Sequence, residues 1–448
     1  MKAGWETKKL EDICRFSSGL WKGEKPPFVN VGVIRNTNFT KEGMLDDSDI
    51  AYLDVEAKKL EKRRLQFGDI ILEKSGGGPK QPVGRVALFD KEDGDFSFSN
   101  FTAALRVLDP HELDFRFLHK FLHWTYLSGI TEKMQSHSTG IRNLDGDAYK
   151  AITISFPRLS EQRRIVGILD DAFEGIATAK ANAEKNLQSA RSLFDSVLNL
   201  AIQGKLIPQN SRDGSVVDLV CDIQKARNAA IDRGRAMAEK TDPVGDGQIA
   251  LPSSWKWAQL ESLTICISDG VHKRPHYVSR GIPFITVKNL TAGPGISFDE
   301  LNYVTKKDHL EFIKRTHPER GDILITKDGT IGVVRLVETD VEFSIFVSVA
   351  LIKPVMRELG PYLAYALRAS CVQNQIVPQG AALKHLYLVD LRRLAIPLPP
   401  LAEQERIVAR LDDLGVETRG LVNLYEQKLS ALEALKKSLL HQAFTGKL

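Results

Sequence analysis

Several stretches of this chain carry residues that could do chemistry, and each is missing a part it would need. Lys25-Pro26-Pro27-Phe28 has the paired prolines and the aromatic ring of a loop that holds a flipped base while an exocyclic amine is methylated. That chemistry needs an Asn carbonyl ahead of the prolines to accept from the amine, and a Lys side chain only donates. Gly281-Ile282-Pro283-Phe284 lacks the Asn as well, so both stretches read as entries into strands. Ser75-Gly76-Gly77-Gly78-Pro79-Lys80 offers backbone N–H groups for a phosphate, yet it fits neither Gly-x-x-x-x-Gly-Lys-Ser nor Gly-x-Gly-x-x-Gly. Like Asp328-Gly329-Thr330-Ile331-Gly332, it follows a Gly-Asp-Ile strand, and both read as tight loops with Lys74 and Lys327 at the shoulder. The 10 histidines show no metal-ligand spacing, and no Pro-Asp…Asp/Glu-x-Lys nuclease set is present. With no catalytic set and no metal set, the expectation is a protein that is not itself an enzyme.

The elements that would position such groups are written twice. Pro157-Arg158-Leu159-Ser160-Glu161-Gln162-Arg163-Arg164-Ile165-Val166 returns as Pro399-Pro400-Leu401-Ala402-Glu403-Gln404-Glu405-Arg406-Ile407-Val408. The same offset of 242 residues carries Leu169-Asp170-Asp171 onto Leu411-Asp412-Asp413, and Gly204-Lys205-Leu206 onto Gly446-Lys447-Leu448. A gapless repeat of about fifty residues is a duplicated structural unit. Each copy predicts one long helix: prolines hold the preceding residue out of the α region, Ser160 is the expected N-cap, Glu161 and Glu403 suit the positive end of the dipole, and Gly204 and Gly446 suit left-handed caps. Ala183, Leu187, Ala190, Phe194, Val197 and Ala201 recur at alternating steps of four and three, the spacing of a coiled-coil seam. Leu421, Tyr425, Leu429, Leu432, Leu435 and Leu439 form the stripe of the second copy. Roughly 45 helical residues make a rod on the order of 65 Å. One apolar stripe needs a partner, and the other copy is expected to supply it in antiparallel sense.

Weaker repetition runs ahead of each rod. Trp5 with Leu10-Glu11 parallels Trp255 with Leu260-Glu261, Pro27-Phe28-Val29 parallels Pro283-Phe284-Ile285, and Gly68-Asp69-Ile70-Ile71-Leu72 parallels Gly321-Asp322-Ile323-Leu324-Ile325. Their offsets drift through 250, 256 and 253, as when surface loops gain and lose residues around a kept framework. The expected layout is a first domain at 1–156, a helical spacer at 157–210, a helical segment and linker at 211–250, a second domain at 251–397 and a second helical spacer at 398–448. About 150 residues per domain suffice for a core. Short apolar runs at 69–72, 85–89, 284–287, 323–326 and 346–351, closed by Gly, Pro, Asp or Asn, predict a curved sheet; 113–126, 360–368 and 216–239 predict helices, and 240–250 a linker. The fold class is α+β: two pseudo-repeated, sheet-rich mixed domains separated by two long antiparallel helices that form a coiled coil.

Composition bounds the compartment and the partner. Cys14, Cys221, Cys266 and Cys371 form no Cys-x-x-Cys pair, and the amino terminus carries no apolar signal stretch, so a reduced, cytoplasmic protein is expected. No apolar run approaches eighteen residues, so no membrane association is expected. The net charge of +4 is mildly basic, with basic clusters at Lys58-Lys59, Lys62-Arg63-Arg64, Lys306-Lys307 and Arg392-Arg393. Each is by default a solvated face, and together they lean toward a polyanion.

Two similar but diverged domains on a pair of antiparallel rods, without chemistry of their own, suit a reader of a split DNA sequence, since B-DNA presents equivalent major-groove faces about 34 Å apart. Leu398-Pro399-Pro400-Leu401-Ala402-Glu403-Gln404-Glu405-Arg406-Ile407-Val408, the copy around Pro157 to Gln162, the terminal Gly446-Lys447-Leu448 and the two Gly-Asp-Ile strands closely resemble the specificity subunit of type I restriction-modification systems. The likeness runs over essentially the whole chain. It departs at Arg158, where the second proline would stand, and at 173–180, less apolar than its repeat. The resemblance implies two target-recognition domains, each reading one half of an asymmetric bipartite site in double-stranded DNA. It further implies helical regions that bind two modification subunits, which methylate adenine with S-adenosylmethionine, and a full complex with two restriction subunits driven by ATP and Mg. No cofactor is implied for this chain. By the same resemblance, loops meet the major groove, which nominates Arg35, Asn36, Lys74, Ser75, Lys80, Gln81 and Arg142 in the first domain and His272, Lys273, Arg274, Lys288, Asn289, Lys327 and Lys384 in the second. Arg and Lys suit guanine or phosphate, and Asn and Gln suit adenine. Two rivals stand beside this. A self-sufficient methyltransferase or nuclease would bind S-adenosylmethionine alone, and a coiled-coil scaffold would ignore duplex DNA even with its partners present.

Overall fold

Short apolar runs ended by Gly, Asp or Asn become strands in both domains. A computed structural model describes residues 4–20, 23–78, 81–138, 141–234, 249–380 and 384–448, with only the backbone at 137 and 138. Lys80 and residues 240–248 of the expected linker lie outside the described residues. The first domain contains β1 (Glu6–Lys9), β2 (Cys14–Ser18), β3 (Phe28–Ile34), β4 (Ala51–Glu56), β5 (Ile70–Glu73), β6 (Ser75–Gly77), β7 (Val86–Leu88), β8 (Phe96–Phe98), β9 (Thr102–Val107), β10 (Gln135–Ser138), β11 (Ile141–Leu144) and β12 (Thr153–Phe156). They form sheets in the orders β2-β9-β5-β7, β4-β3-β8, β1-β12 and β10-β11-β6. In the second domain lie β13 (Lys256–Gln259), β14 (Thr264–Asp269), β15 (Ile282–Ile285), β16 (Asn302–Val304), β17 (Ile323–Thr326), β18 (Val334–Leu336), β19 (Ser344–Ile345), β20 (Val349–Pro354) and β21 (Ala395–Leu398). Their orders, β14-β20-β17-β18, β16-β15-β19 and β13-β21, repeat the first three sheets strand for strand. Even the parallel pairing of β3 with β8 recurs, as β15 with β19. Where the first domain has β10-β11-β6, the described residues of the second show isolated bridges from His385 to Asp328 and Gln379.

The Gly-Asp-Ile motif proves to be a turn that launches the central strand. Gly68 and Gly321 sit at φ +89 and +90, where a side chain would be strained. Each glycine N–H donates across to the next strand's end, Gly68 to Phe89 O and Gly321 to Val337 O, both at 2.9 Å. The aspartates are buried, and each Oδ2 accepts from the backbone three residues back, Asp69 from Gln66 N and Asp322 from Glu319 N, both at 2.8 Å. A base on the neighbouring strand neutralises each: Arg106 at 2.7 Å from Asp69, Lys353 at 2.6 Å from Asp322. These acids hold the frame, because a buried carboxylate is tolerable only when paired and hydrogen-bonded.

The duplicated motif at 157–166 and 399–408 opens two helices of 44 residues, Leu159–Ile202 and Leu401–Phe444. The N-cap is Arg158 rather than Ser160: its carbonyl accepts from Glu161 N and Gln162 N, as Pro400 O accepts from Glu403 N and Gln404 N. The buried Gln162 and Gln404 tie the chain leading into each helix to its first turn, their Nε2 donating back to Pro157 O at 2.8 Å and Pro399 O at 2.9 Å. At the far ends Gly204 and Gly446 both adopt φ +71, and Lys205 N and Lys447 N each donate to the carbonyl five residues back at 2.9 Å, closing a left-handed cap.

Contacts divide the chain into two compact units, Met1–Lys185 with Tyr425–Leu448, and Asn186–Leu424. Each unit joins one sheet-rich domain to part of both long helices, because the helical stripes continue into the domain cores. In the first unit Ile165, Leu169, Ala443 and Phe444 pack with Phe117, Phe121 and Tyr149; in the second, Ala201, Ile202, Ile407 and Leu411 pack with Trp255, Tyr362 and Ile396. Ala183, Ala190 and Ala201 are buried and Leu187, Phe194 and Val197 half-buried along the first stripe. On the second, Tyr425, Leu429, Leu432 and Leu439 are half-buried, but Leu421 and Leu435 are off the seam, 39% and 47% exposed. Val422 and Lys436, the next residues along, take the inward positions, because the stripe keeps the register of the first helix at the 242-residue offset. Across the seam, Lys180 pairs with Glu433 at 2.7 Å and Lys436 covers the Phe173 ring in the first unit; in the second, Gly415 leaves room for Phe194.

Candidate nucleic-acid interface

In the first domain the polar centre is a carboxylate that ends an apolar strand. Glu73, the last residue of β5, is 1% exposed. Arg85, leading into β7, meets it in fork geometry, Nε to Oε2 at 2.8 Å and Nη2 to Oε1 at 2.9 Å, and Asn36 Nδ2 donates to Oε1 at 3.1 Å. Arg85 also donates to Asn36 O at 2.9 Å, and the Gln81 amide lies against the guanidinium at 2.7 to 2.9 Å, its oxygen assigned to that side because the nitrogen would set donor against donor. Asn36, Thr37, Glu73, Gln81, Arg85 and the backbone of Gly76 to Gly78 line one cavity of about 330 Å³. The β10-β11-β6 sheet borders it: Arg142 is in register with Gly77, and Ser75 Oγ donates to Asn143 Oδ1 at 2.6 Å.

The second domain builds its polar centre elsewhere. Asp269, at the end of β14 and with its side chain 5% exposed, meets three basic groups: Arg315 at 2.6 Å, Lys327 at 3.0 Å and His272 at 3.1 Å. Burial opposes ionisation of this carboxyl, but Lys327 and His272 outweigh it and hold the group below the usual carboxylate range. Arg315 and His272 keep more than half of their side-chain surface in solvent, whereas Lys327 is largely covered. One buried negative charge thus collects up to three positive ones, leaving outward donors. Nearby in sequence, Asp328 accepts from His385 Nδ1 at 2.5 Å.

The structure therefore gathers some nominated residues and separates others. Asn36 and Gln81 share the first cavity, with Ser75 and Arg142 on the sheet beside it and half-buried Lys74 joining β5 to β6. Arg35 instead turns to Asp49, bonding its carboxylate at 2.8 Å and its carbonyl at 2.7 Å. In the second domain His272 and Lys327 converge on Asp269, while Lys273 and Arg274 stand exposed in the loop after β14 and Lys384 stands exposed beside His385. Lys288 is an exposed partner of Glu300 at 2.5 Å, a pairing weak enough to exchange for phosphate. Asn289 is buried: its Oδ1 accepts from Thr286 N and Oγ1, both at 3.0 Å, and its Nδ2 donates to Ser297 O at 3.2 Å. Its counterpart is Asn38, equally buried and accepting from Arg35 N at 2.9 Å, so this amide fixes a turn. Glu73, Arg85, Asp269 and Arg315 were not singled out from the sequence. The one signal was a lone acid closing an apolar run, just before Lys74 or Gly270.

Among the described residues no group of three or more His, Cys, Asp or Glu side chains could hold a metal ion, and no helix is long and apolar enough to cross a membrane. The profile of the type I restriction modification DNA specificity domain matches residues 2–187 and again 269–433. The chain belongs to that family. Similar members include the EcoKI specificity subunit of Escherichia coli K12, 23% identical over 438 residues that make up 95% of this chain and 83% of that one, and the EcoBI specificity subunit of Escherichia coli, 24% identical over 331 residues. The EcoBI match spans 72% of this chain but only 64% of the relative's own length. Among solved structures, a chain from work on complex assembly and conformational transition of the type I R-M system covers 100% of this chain and 99% of its own length, with a TM-score of 0.72 at 19% identity. The HsdS subunit of Thermoanaerobacter tengcongensis gives a TM-score of 0.59 at 18% identity, covering 100% of this chain and 98% of that one. These likenesses show the fold, and the family match shows a DNA specificity subunit.

Proposed function

We propose that this chain is the noncatalytic targeting subunit of a type I restriction-modification complex, and that each domain reads one half of a bipartite, asymmetric DNA site. The observation that carries this is the contrast between a duplicated frame and unlike polar centres. The Gly-Asp-Ile turns, the strand order of three sheets and the Asn38 and Asn289 turns recur in both domains, whereas the acid paired with Arg85 closes β5 and the acid paired with Arg315 closes β14, strands that are not counterparts. A duplicated enzyme would keep its chemistry in both copies; a pair of readers for two unrelated half-sites keeps the frame and changes the groups that face the base edges.

In this function the two long helices set the gap between half-sites, and their outward faces bind two modification subunits. Those partners use S-adenosylmethionine to methylate adenine, and two restriction subunits with ATP and Mg complete the complex, which works in the cytoplasm. Co-expression with the modification subunit in a methylation-free host, followed by single-molecule mapping of modified adenines, tests this. One split motif with methylation in both halves is the expected result. A well-folded complex that adds no methylation would contradict the function and favour a scaffold.

A further inference from the structure

We propose, on the DNA-reading function set out above, that Asn36 and Gln81 together form a two-point reader of one adenine in the half-site of the first domain. Both amides are oriented by the same buried ion pair. Glu73 takes up one amide N–H of Asn36 at 3.1 Å, and Arg85 takes up the Asn36 backbone carbonyl at 2.9 Å, which fixes the amide and leaves its side-chain oxygen, an acceptor, to offer. Gln81 is exposed and its amide lies against the Arg85 guanidinium; with the oxygen assigned to that side, since the nitrogen there would set donor against donor, the amide nitrogen, a donor, faces outward. One acceptor and one donor therefore stand at the rim of one cavity of about 330 Å³.

Adenine is the base whose major-groove edge matches that pair. Its N6 amine donates and its N7 accepts side by side, whereas guanine presents two acceptors and would set O6 against the Asn36 oxygen; cytosine and thymine each offer one polar group there. The Glu73–Arg85 pair is itself neutral, so the site selects by hydrogen-bond pattern rather than by charge. Close approach is available because the cavity wall at Gly76 to Gly78 is bare backbone. Gly76 sits at φ +103, and a Cβ there would come within 3.0 Å of the Asn36 amide nitrogen. Glu73 and Arg85 act as positioning residues and touch no base.

The test uses the full chain with its modification subunit, as wild type, Gln81→Ala and Asn36→Ser, with thermal melting of each complex and genome-wide mapping of methylated adenines. Both variants are expected to relax the same position in the same half of the motif, one at which the wild type requires adenine. Preference for adenine there should fall roughly 5- to 150-fold, the range of one good two-point contact. The half-site of the second domain serves as internal reference. An unchanged motif in folded variants, relaxation at different positions, or a relaxed position that was not adenine would overturn the proposal while leaving the DNA-reading function intact. A wild-type complex with no split motif would instead remove that function, and the reader with it. Gln81 is exposed, so its truncation tests the proposal even if Asn36→Ser fails to fold.

Discussion

The two domains share a frame and differ at the groups it presents. In the first, a single acid meets a single Arg in a closed fork, and two amides complete the cluster; in the second, a single acid is shared by Arg315, Lys327 and His272. At these centres the polar groups differ while the strand order of the surrounding sheets is kept. Asp69 with Arg106 and Asp322 with Lys353 show the opposite behaviour: the base changes type, but the buried carboxylate and its backbone bond stay.

The largest effect expected of that contrast is on stability. Arg85→Met leaves Glu73 buried without a cation and should cost about 3 to 5 kcal/mol. Lys327→Met leaves Asp269 with Arg315 and His272 and should cost about 1 kcal/mol, within the range for removing one of several hydrogen-bonding partners. Urea titrations of the two variants, read by probes within each unit, check this; equal costs would mean that the two centres are not differently built.

Acid should separate the units next. His119 and His123 lie buried on the helix Phe115–Leu127, His119 Nε2 bonding to Gly43 O at 2.7 Å. Burial, with Lys120 and for His123 also His119 and Lys436, pushes His119 down to about 4 and His123 to about 3. The unfolded chain takes up these protons near pH 6.5 and the folded one does not, so stability is full above that pH and falls as the pH drops toward 4. Each histidine accounts for on the order of 3 kcal/mol over that window. In the second unit, burial lowers His309 while Glu342 works the other way, and the depressed Asp269 loses its contribution only below the ordinary carboxylate range. Hydrogen exchange at pH 5 against pH 7 should therefore show the helix Phe115–Leu127 losing protection before Gly360–Ala366, and His123→Leu should narrow the difference.

Local signals were the ones legible in the sequence. The Pro-x-Leu-x-Glu-Gln starts, the Gly204 and Gly446 caps and the seam from Ala183 to Ala201 depend on neighbours within a few turns, and all can be read along the chain. What could not be read depended on strands brought together from afar. Glu73 and Arg85 are 12 residues apart but face each other across a sheet, and nothing in the sequence distinguishes Asn289, spent on a turn, from Asn36, which keeps its oxygen. The apolar run at 346–351 became β20 at Val349–Pro354 because Phe346 O accepts from Val349 N, closing a turn first. Leucine at 421 and 435 mimics a seam, although the helical register turns Val422 and Lys436 inward.

Those two leucines give the smallest effect on folding. Leu421→Lys and Leu435→Lys should change stability by no more than about 0.5 kcal/mol, as at exposed positions generally, while weakening capture of the modification subunit in a pull-down. Leu429→Ala, on the seam, should cost about 2 kcal/mol.

Division of labour between the domains is tested most directly by mapping methylated adenines for Arg315→Ala beside Gln81→Ala, each co-expressed with the modification subunit. Two independent readers predict that Arg315→Ala relaxes positions in one half-site only, and Gln81→Ala in the other. Relaxation of the same half by both, or of both halves by either, would contradict it.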